Sequence, residues 1–126
     1  MRLPKKTAEQ QAAREQAMAE ATRAAIAVPM GVLERCPEAL ELARAATAGN
    51  ENSLSDAAVA ASCALCAAEG ATLNVLINLA GVSDKARRDE ILAKADALLT
   101  QVRVDAAAVN QEVTQRLKDA LTQADG

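Results

Sequence analysis

The sequence contains no phenylalanine, tyrosine, tryptophan or histidine. Without aromatic rings it lacks the surfaces on which single-stranded nucleic acids stack, and a formal net charge of −3 leaves no basic stripe for a phosphate backbone. We therefore expect no nucleic-acid partner. Without histidine, neither Ser-His-Asp nor Cys-His catalysis is available within the chain. A four-ligand zinc site is poorly supported for the same reason, so we expect no metal site.

Cysteine is scarce: Cys36, Cys63 and Cys66 are the only three. An odd number in a chain of this size does not form a disulfide framework, and we expect small buried thiols. The sequence shows no apolar stretch of a secretory signal at its start and no uninterrupted apolar run of ~20 residues. These absences predict a cytoplasmic, soluble protein with no membrane partner.

Alanine dominates what is present. The chain has 126 residues, of which 51% are hydrophobic and 32 are alanine. This length predicts a single domain over residues 1–126. Alanine is the strongest helix former, but each buried alanine removes little apolar area from water. A core that buries so little apolar area becomes more stable when a helical surface of another subunit covers more of it. We therefore expect a homo-oligomer, a dimer or higher.

Capping signals and apolar periodicity predict three helices. The helical segments are about 7–48, 53–79 and 83–121. Thr7 and Gln10 form a capping-box pattern at the first start. Pro29 and Pro37 predict a kink near residues 29–37, because interior proline removes a backbone donor and clashes with the preceding turn.

The second segment is apolar almost all round, with Asp56 and Glu69 its only charged residues. A helix of this kind is predicted to be central and buried. The short connections favour antiparallel neighbours, and no alternating β-branched run predicts a strand. The predicted fold is therefore all-α: an antiparallel bundle of long helices around a central apolar helix.

Polar residues at both ends of this second segment are the candidate site. Asn52, Ser53, Ser55 and Asp56 open it, and a helix start alone would explain them. At 100° per residue, however, Asp56, Cys63, Gly70 and Asn74 share one narrow face, and Asn78 lies nearby. Such polar positions on an apolar helix need hydrogen-bond partners inside the fold or a polar ligand. For Asn74 and Asn78 the alternative is a buried amide, or for Asn78 a residue that ends its own helix.

An ordered set of segments carries a family likeness: Leu3-Pro4-Lys5, Val28-Pro29, the turn at residues 49–56 and the stretch at residues 70–79. Together they resemble the cyclodeaminase domain of formiminotransferase-cyclodeaminase and the bacterial methenyltetrahydrofolate cyclohydrolases. The likeness covers roughly residues 2–100. Relatives also carry an upstream Pro-Ala-Pro-Gly-Gly-Gly-Ser-like segment and an acidic helix to which proton transfer is attributed. This sequence has neither, which predicts an incomplete family domain.

The resemblance implies folate one-carbon chemistry. Family members close 5-formiminotetrahydrofolate to 5,10-methenyltetrahydrofolate with release of ammonia, or hydrolyse the methenyl form. Both reactions move protons at nitrogen or water, which suits a carboxylate with a raised pKa. Asp56 is then the candidate acid or base, and Asn52, Ser53, Ser55, Asn74, Asn78 and Lys5 are candidates for binding the substrate. The tetrahydrofolate derivative is substrate, and no tightly bound cofactor is implied.

Two other functions compete with this one. A non-catalytic helical oligomerisation module would keep the scaffold without the site. A generic coiled-coil adaptor is disfavoured, because the second segment lacks a heptad rhythm with charged flanks.

Overall fold

Three long helices and one short turn form the chain. The computed structural model describes residues 7–126. Helix α1 spans Ala8–Ala46, a 3₁₀ turn spans Glu51–Ser53, α2 spans Leu54–Leu79 and α3 spans Lys85–Asp125. Because no strand occurs in this range, the all-α class is confirmed. The helices begin and end within a few residues of the predicted segments.

Side-chain pairs between α2 and α3 show that the two helices run in opposite directions. The Asn110 amide donates to the Ser62 hydroxyl at 3.2 Å, and the Arg103 Nε lies 3.7 Å from a Glu69 carboxylate oxygen. Residue numbers therefore fall along α3 as they rise along α2. A short turn joins α1 to α2, so the three helices alternate in direction as predicted.

The face that α2 buries consists mostly of alanine. Its buried residues are Leu54, Ala57, Ala61, Ala64, Ala68, Ala71, Thr72, Val75 and Leu79. Larger side chains from the neighbouring helices, such as Leu33 and Leu40 of α1 and Val102 and Val109 of α3, fill the space around this stripe. Small residues let helix axes approach to the short end of the usual ~8–10 Å range.

Helix α1 continues through both of its prolines. The helix is unbroken over Pro29, which is buried, and over Pro37, which is half-buried. Helix α1 therefore has no break at residues 29–37. The bend of the helix axis predicted there stays a prediction. The last turn of α1 is tied to α3, because the Arg116 guanidinium donates to the Thr47 carbonyl at 2.7 Å. That bond satisfies a carbonyl that a helix end leaves without a partner.

The outer side of α2 faces solvent in this chain. Val59, Leu73 and Ile77 are 59%, 66% and 77% exposed. Burial of α2 on all sides is therefore not seen within one chain, and a central place for it stays a prediction. By length and composition alone, residues 51–79 are also long and apolar enough to cross a membrane, with 33% of the most apolar stretch buried in the bundle. The expected lack of a membrane partner stays a prediction as well.

Replacing Leu33 by alanine should destabilise the bundle by about 2–5 kcal/mol, because the fully buried side chain leaves a cavity. Leu42→Ala is the matched control on the same helix, where the side chain is 67% exposed, and its effect should stay within about 0.5 kcal/mol. Urea unfolding followed by circular dichroism measures both, since the chain has no fluorescent ring. Equal losses for the two variants would show that the core is placed wrongly.

Candidate functional site

A polar turn precedes α2. The Asn50 side chain accepts a hydrogen bond from the Asn52 backbone N–H at 2.9 Å, and the Asn50 carbonyl accepts one from Ser53 at 3.0 Å. Ser53 occupies the N-cap position of α2, but its side chain makes no capping hydrogen bond. Asn50 therefore orders this turn. The exposed side chains of Asn52, Ser53 and Ser55 are left facing solvent.

Asp56 lies in the first turn of α2, where the helix dipole favours a negative charge. Its side chain is exposed and has no hydrogen-bond or ion-pair partner within residues 7–126. Asn74 is exposed on the same side, about five turns further on, which separates the two residues by ~27 Å along the helix. The polar face predicted from the sequence therefore exists, and it is open to solvent.

The two asparagines near the end of α2 differ in their surroundings. The Asn78 amide donates to the Asn74 backbone carbonyl at 2.8 Å, so it bonds within its own helix. The Asn74 amide has no partner in the described part of the chain. The candidate residues thus form two groups, one at each end of α2, and one chain does not bring them together. Lys5 lies outside the described residues.

The cysteines are placed differently from the expectation of three buried thiols. Cys36 is buried in α1, where burial raises the pKa of its thiol. Cys63 and Cys66 are exposed on α2 and line an open cavity of about 290 Å³. Within residues 7–126, no three His, Cys, Asp or Glu side chains converge as metal ligands would.

A larger groove lies between the middle of α1 and the start of α3. Its volume is about 650 Å³, and Ile26, Met30 and Ile91 form an apolar floor. Charged side chains surround this floor, with a Lys94 ammonium 3.1 Å from a Glu34 carboxylate oxygen. The groove can hold a ligand that combines an apolar body with charged ends.

Sequence reasoning missed this groove. Arg23, Arg87 and Lys94 line it, yet they come from two helices that are far apart along the chain. Within the described residues Arg23 has no partner, whereas Arg87 lies 3.3 Å from Glu90. No local motif joins these cations, so only the fold reveals that they share a surface.

Comparison with known proteins decides the family. Residues 1–97 match the family model described as formiminotransferase-cyclodeaminase. A methenyltetrahydrofolate cyclohydrolase of Methylorubrum extorquens is 37% identical over 117 residues, which cover 92% of this chain and 54% of that protein. The chain belongs to the formiminotransferase-cyclodeaminase family. The predicted resemblance is therefore confirmed.

Mammalian members of the formiminotransferase-cyclodeaminase family match over similar lengths. The formimidoyltransferase-cyclodeaminase of Sus scrofa is 36% identical over 120 residues, which cover 92% of this chain and 22% of that protein. The Rattus norvegicus protein is 35% identical over 113 residues, which cover 86% of this chain and 20% of that protein. This family member thus spans about half of the cyclohydrolase and about a fifth of the longer enzymes.

The thiols of this family member should react in two classes. Cys63 and Cys66 are exposed and should react rapidly with Ellman's reagent in the native state. Cys36 should react only on unfolding, because it is buried and its raised pKa lowers the thiolate fraction. The same shift makes the native state lose stability as pH rises through the thiol range, since the unfolded thiol ionises more easily. Rapid reaction of all three thiols would contradict the placement of Cys36.

Proposed function

We propose that this chain contributes to folate one-carbon metabolism, as a methenyltetrahydrofolate cyclohydrolase or a formimidoyltetrahydrofolate cyclodeaminase. The observation that carries this function is the 37% identity to the cyclohydrolase across nearly the whole chain. Both reactions act on the carbon between N5 and N10 of a tetrahydrofolate. The substrate is accordingly a reduced folate. No tightly bound cofactor is needed, because the ring opens by addition of water and closes with loss of ammonia, and both steps need only proton transfer from the protein.

The chemistry assigns a role to Asp56. Hydrolysis adds water to the methenyl carbon, and the tetrahedral product then breaks one carbon–nitrogen bond. A carboxylate can take a proton from the attacking water and return it to the departing nitrogen. Asp56 supports this role because its carboxylate is exposed and has no partner among residues 7–126. Asn52, Ser53 and Ser55 offer hydrogen bonds around it. In the cyclodeaminase, a lyase, N10 loses its proton as it bonds to the formimino carbon, and the carboxylate delivers a proton to the nitrogen that leaves as ammonia.

Substrate binding extends beyond this turn. Asn74 and Asn78 offer amide donors and acceptors that suit a pteridine edge. Lys5 is a cation suited to a carboxylate of the folate tail. The proposed setting is the cytoplasm, where the three free thiols stay reduced. The proposed assembly is a homodimer or a higher homo-oligomer, because α2 exposes apolar side chains.

A second function is a non-catalytic helical oligomerisation module. One observation favours it: the candidate residues lie in two groups separated by ~27 Å along α2, which is too far for both to touch one reacting atom. The span of the chain, about half of the cyclohydrolase, is consistent with either function.

Loss of the absorbance of 5,10-methenyltetrahydrofolate, measured with the purified chain against buffer, separates the two functions. Under the enzymatic function the chain accelerates this loss, and Asp56→Asn reduces the acceleration by roughly 10²–10⁴-fold, the usual contribution of a general acid or base. Asp96→Asn is the matched control, an exposed carboxylate on α3, and it should retain full activity. No acceleration by the wild-type chain would support the module.

A further inference from the structure

Cys63 and Cys66 are a pair of exposed thiols that the proposed folate chemistry does not use. They lie three residues apart on α2, and both line the open cavity of about 290 Å³. Residues three apart on a helix are neighbours on its surface, with Cβ atoms ~5–6 Å apart. Two soft sulfur atoms therefore border the same small space, from adjacent turns of one continuous helix.

The spacing of the two thiols does not suit a disulfide between them. A disulfide needs Cβ atoms ~3.5–4.5 Å apart, which is about 1 Å closer than the helix holds them. Closing that bond would distort the middle of α2, where Ala61, Ala64 and Ala68 are buried against the other helices. In the folded chain both thiols are accordingly free.

The same spacing suits one ion bound between the two sulfurs. A thiolate–metal bond is ~2.3 Å long, so two sulfurs on opposite sides of one ion lie ~4.6 Å apart. Each sulfur extends from its own Cβ, and a slight inclination of the two side chains toward each other produces this distance from Cβ atoms ~5–6 Å apart. The backbone need not move. An ion with two ligands in a line thus fits where a direct sulfur–sulfur bond does not.

The other residues around this cavity decide which kind of ion fits. They are Ala58, Val59, Ser62 and Asn110, and none of these described residues carries a carboxylate or an imidazole. The Asn110 amide donates to the Ser62 hydroxyl at 3.2 Å, so the two polar groups already bind each other. Hard cations, which take about six or more oxygen ligands, are therefore not favoured. Zinc is not favoured either, because it takes four ligands in a structural site.

A soft monovalent ion meets the remaining conditions. Thiolate ligands select Cu(I), whose filled d shell allows two ligands in a line. Two thiolates around one such ion leave a single negative charge on the complex. The acid one turn beyond Cys66 is Glu69, and its carboxylate lies 3.7 Å from the Arg103 guanidinium. That ion pair reduces the repulsion between Glu69 and the complex.

We propose that Cys63 and Cys66 form a two-thiolate site that binds one Cu(I) ion. On binding, each thiol releases its proton and forms one sulfur–copper bond, so one Cu(I) enters and two protons leave. The ion arrives as Cu(I), and no electron is transferred. The site is independent of the proposed function, because it requires neither Asp56 nor a folate.

Competition for Cu(I) tests the site on the full chain under nitrogen. Cu(I) is supplied as its complex with bathocuproine disulfonate, whose absorbance falls as the protein takes up the ion. The wild-type chain should take up one equivalent. Cys63→Ser and Cys66→Ser should each weaken binding more than the ~10–100-fold that loss of an outer contact costs at a metal site, because a direct ligand is removed.

Cys36→Ala is the matched control for this competition, because it removes the third thiol, which is buried in α1. Its uptake of Cu(I) should equal that of the wild-type chain once circular dichroism has shown unchanged helicity. No uptake by the wild-type chain would overturn the proposal. Equal loss of uptake in all three variants would overturn it as well, since the binding would then not belong to the pair.

A displaced thiol tests the spacing. In the double variant Cys66→Ser, Gly70→Cys the two exposed thiols lie seven residues apart, ~10.5 Å along α2, which is too far for one ion. Nothing lies within 4 Å of the position that a Cβ of Gly70 would take, so the new side chain fits. The double variant should bind Cu(I) as weakly as Cys66→Ser does. Binding as tight as that of the wild-type chain would refute the site.

Spectroscopy of the loaded chain tests the ligand set. X-ray absorption at the copper edge should show two sulfur neighbours at one short distance, and an equimolar amount of Zn²⁺ should not displace the ion. The sequence contains no aromatic residue, so the near-ultraviolet band of the copper–thiolate bonds is free of protein background. Three or more sulfur neighbours, or displacement by Zn²⁺, would overturn the two-thiolate Cu(I) site.

Discussion

The close packing of α1 and α3 against the alanine stripe of α2 is the contact on which the rest of the structure depends. Because Ala61 and Ala68 are fully buried and carry only a methyl group, the backbones around them can approach closely. Leucine and valine side chains from the outer helices then fill the remaining space. The consequence is that α1 and α3 cover one face of α2 and leave the other uncovered.

That one-sided burial explains where the candidate site lies. Asp56 and Asn74 are on the uncovered face, next to apolar residues that gain by leaving water. Polar groups held on an apolar surface are desolvated when a second surface covers them, and their hydrogen bonds then become stronger and more selective. The chain belongs to the formiminotransferase-cyclodeaminase family, and the proposed function places the reduced folate at this surface. Under the proposed function, the exposed Asp56 carboxylate takes up and returns protons at the reacting carbon and nitrogen.

The fold could be predicted from the sequence more fully than the site. Capping signals at Thr7 and near Ser53 and the breaks at residues 49–52 and 80–83 locate the helices, because these signals act locally. Burial could not be predicted in the same way. Both faces of α2 are apolar, so composition alone does not show which one meets α1 and α3. The groove lined by Arg23 and Lys94 depends on how two distant segments pack, and no local pattern encodes that.

Helix α1 extends well beyond the bundle. Residues 8–25 contain no buried side chain, and the first buried residue is Ile26. Besides its alanine-rich sequence and its Thr7 cap, this stretch is stabilised by propagation from the packed part, since helix elongation is easy once a nucleus exists, whereas nucleation is costly. Its order must therefore decrease gradually toward Thr7, with backbone amides that exchange with solvent faster at each successive turn. The chain thus has a packed part and a first stretch of α1 without buried side chains, and the division between them falls within a single unbroken helix.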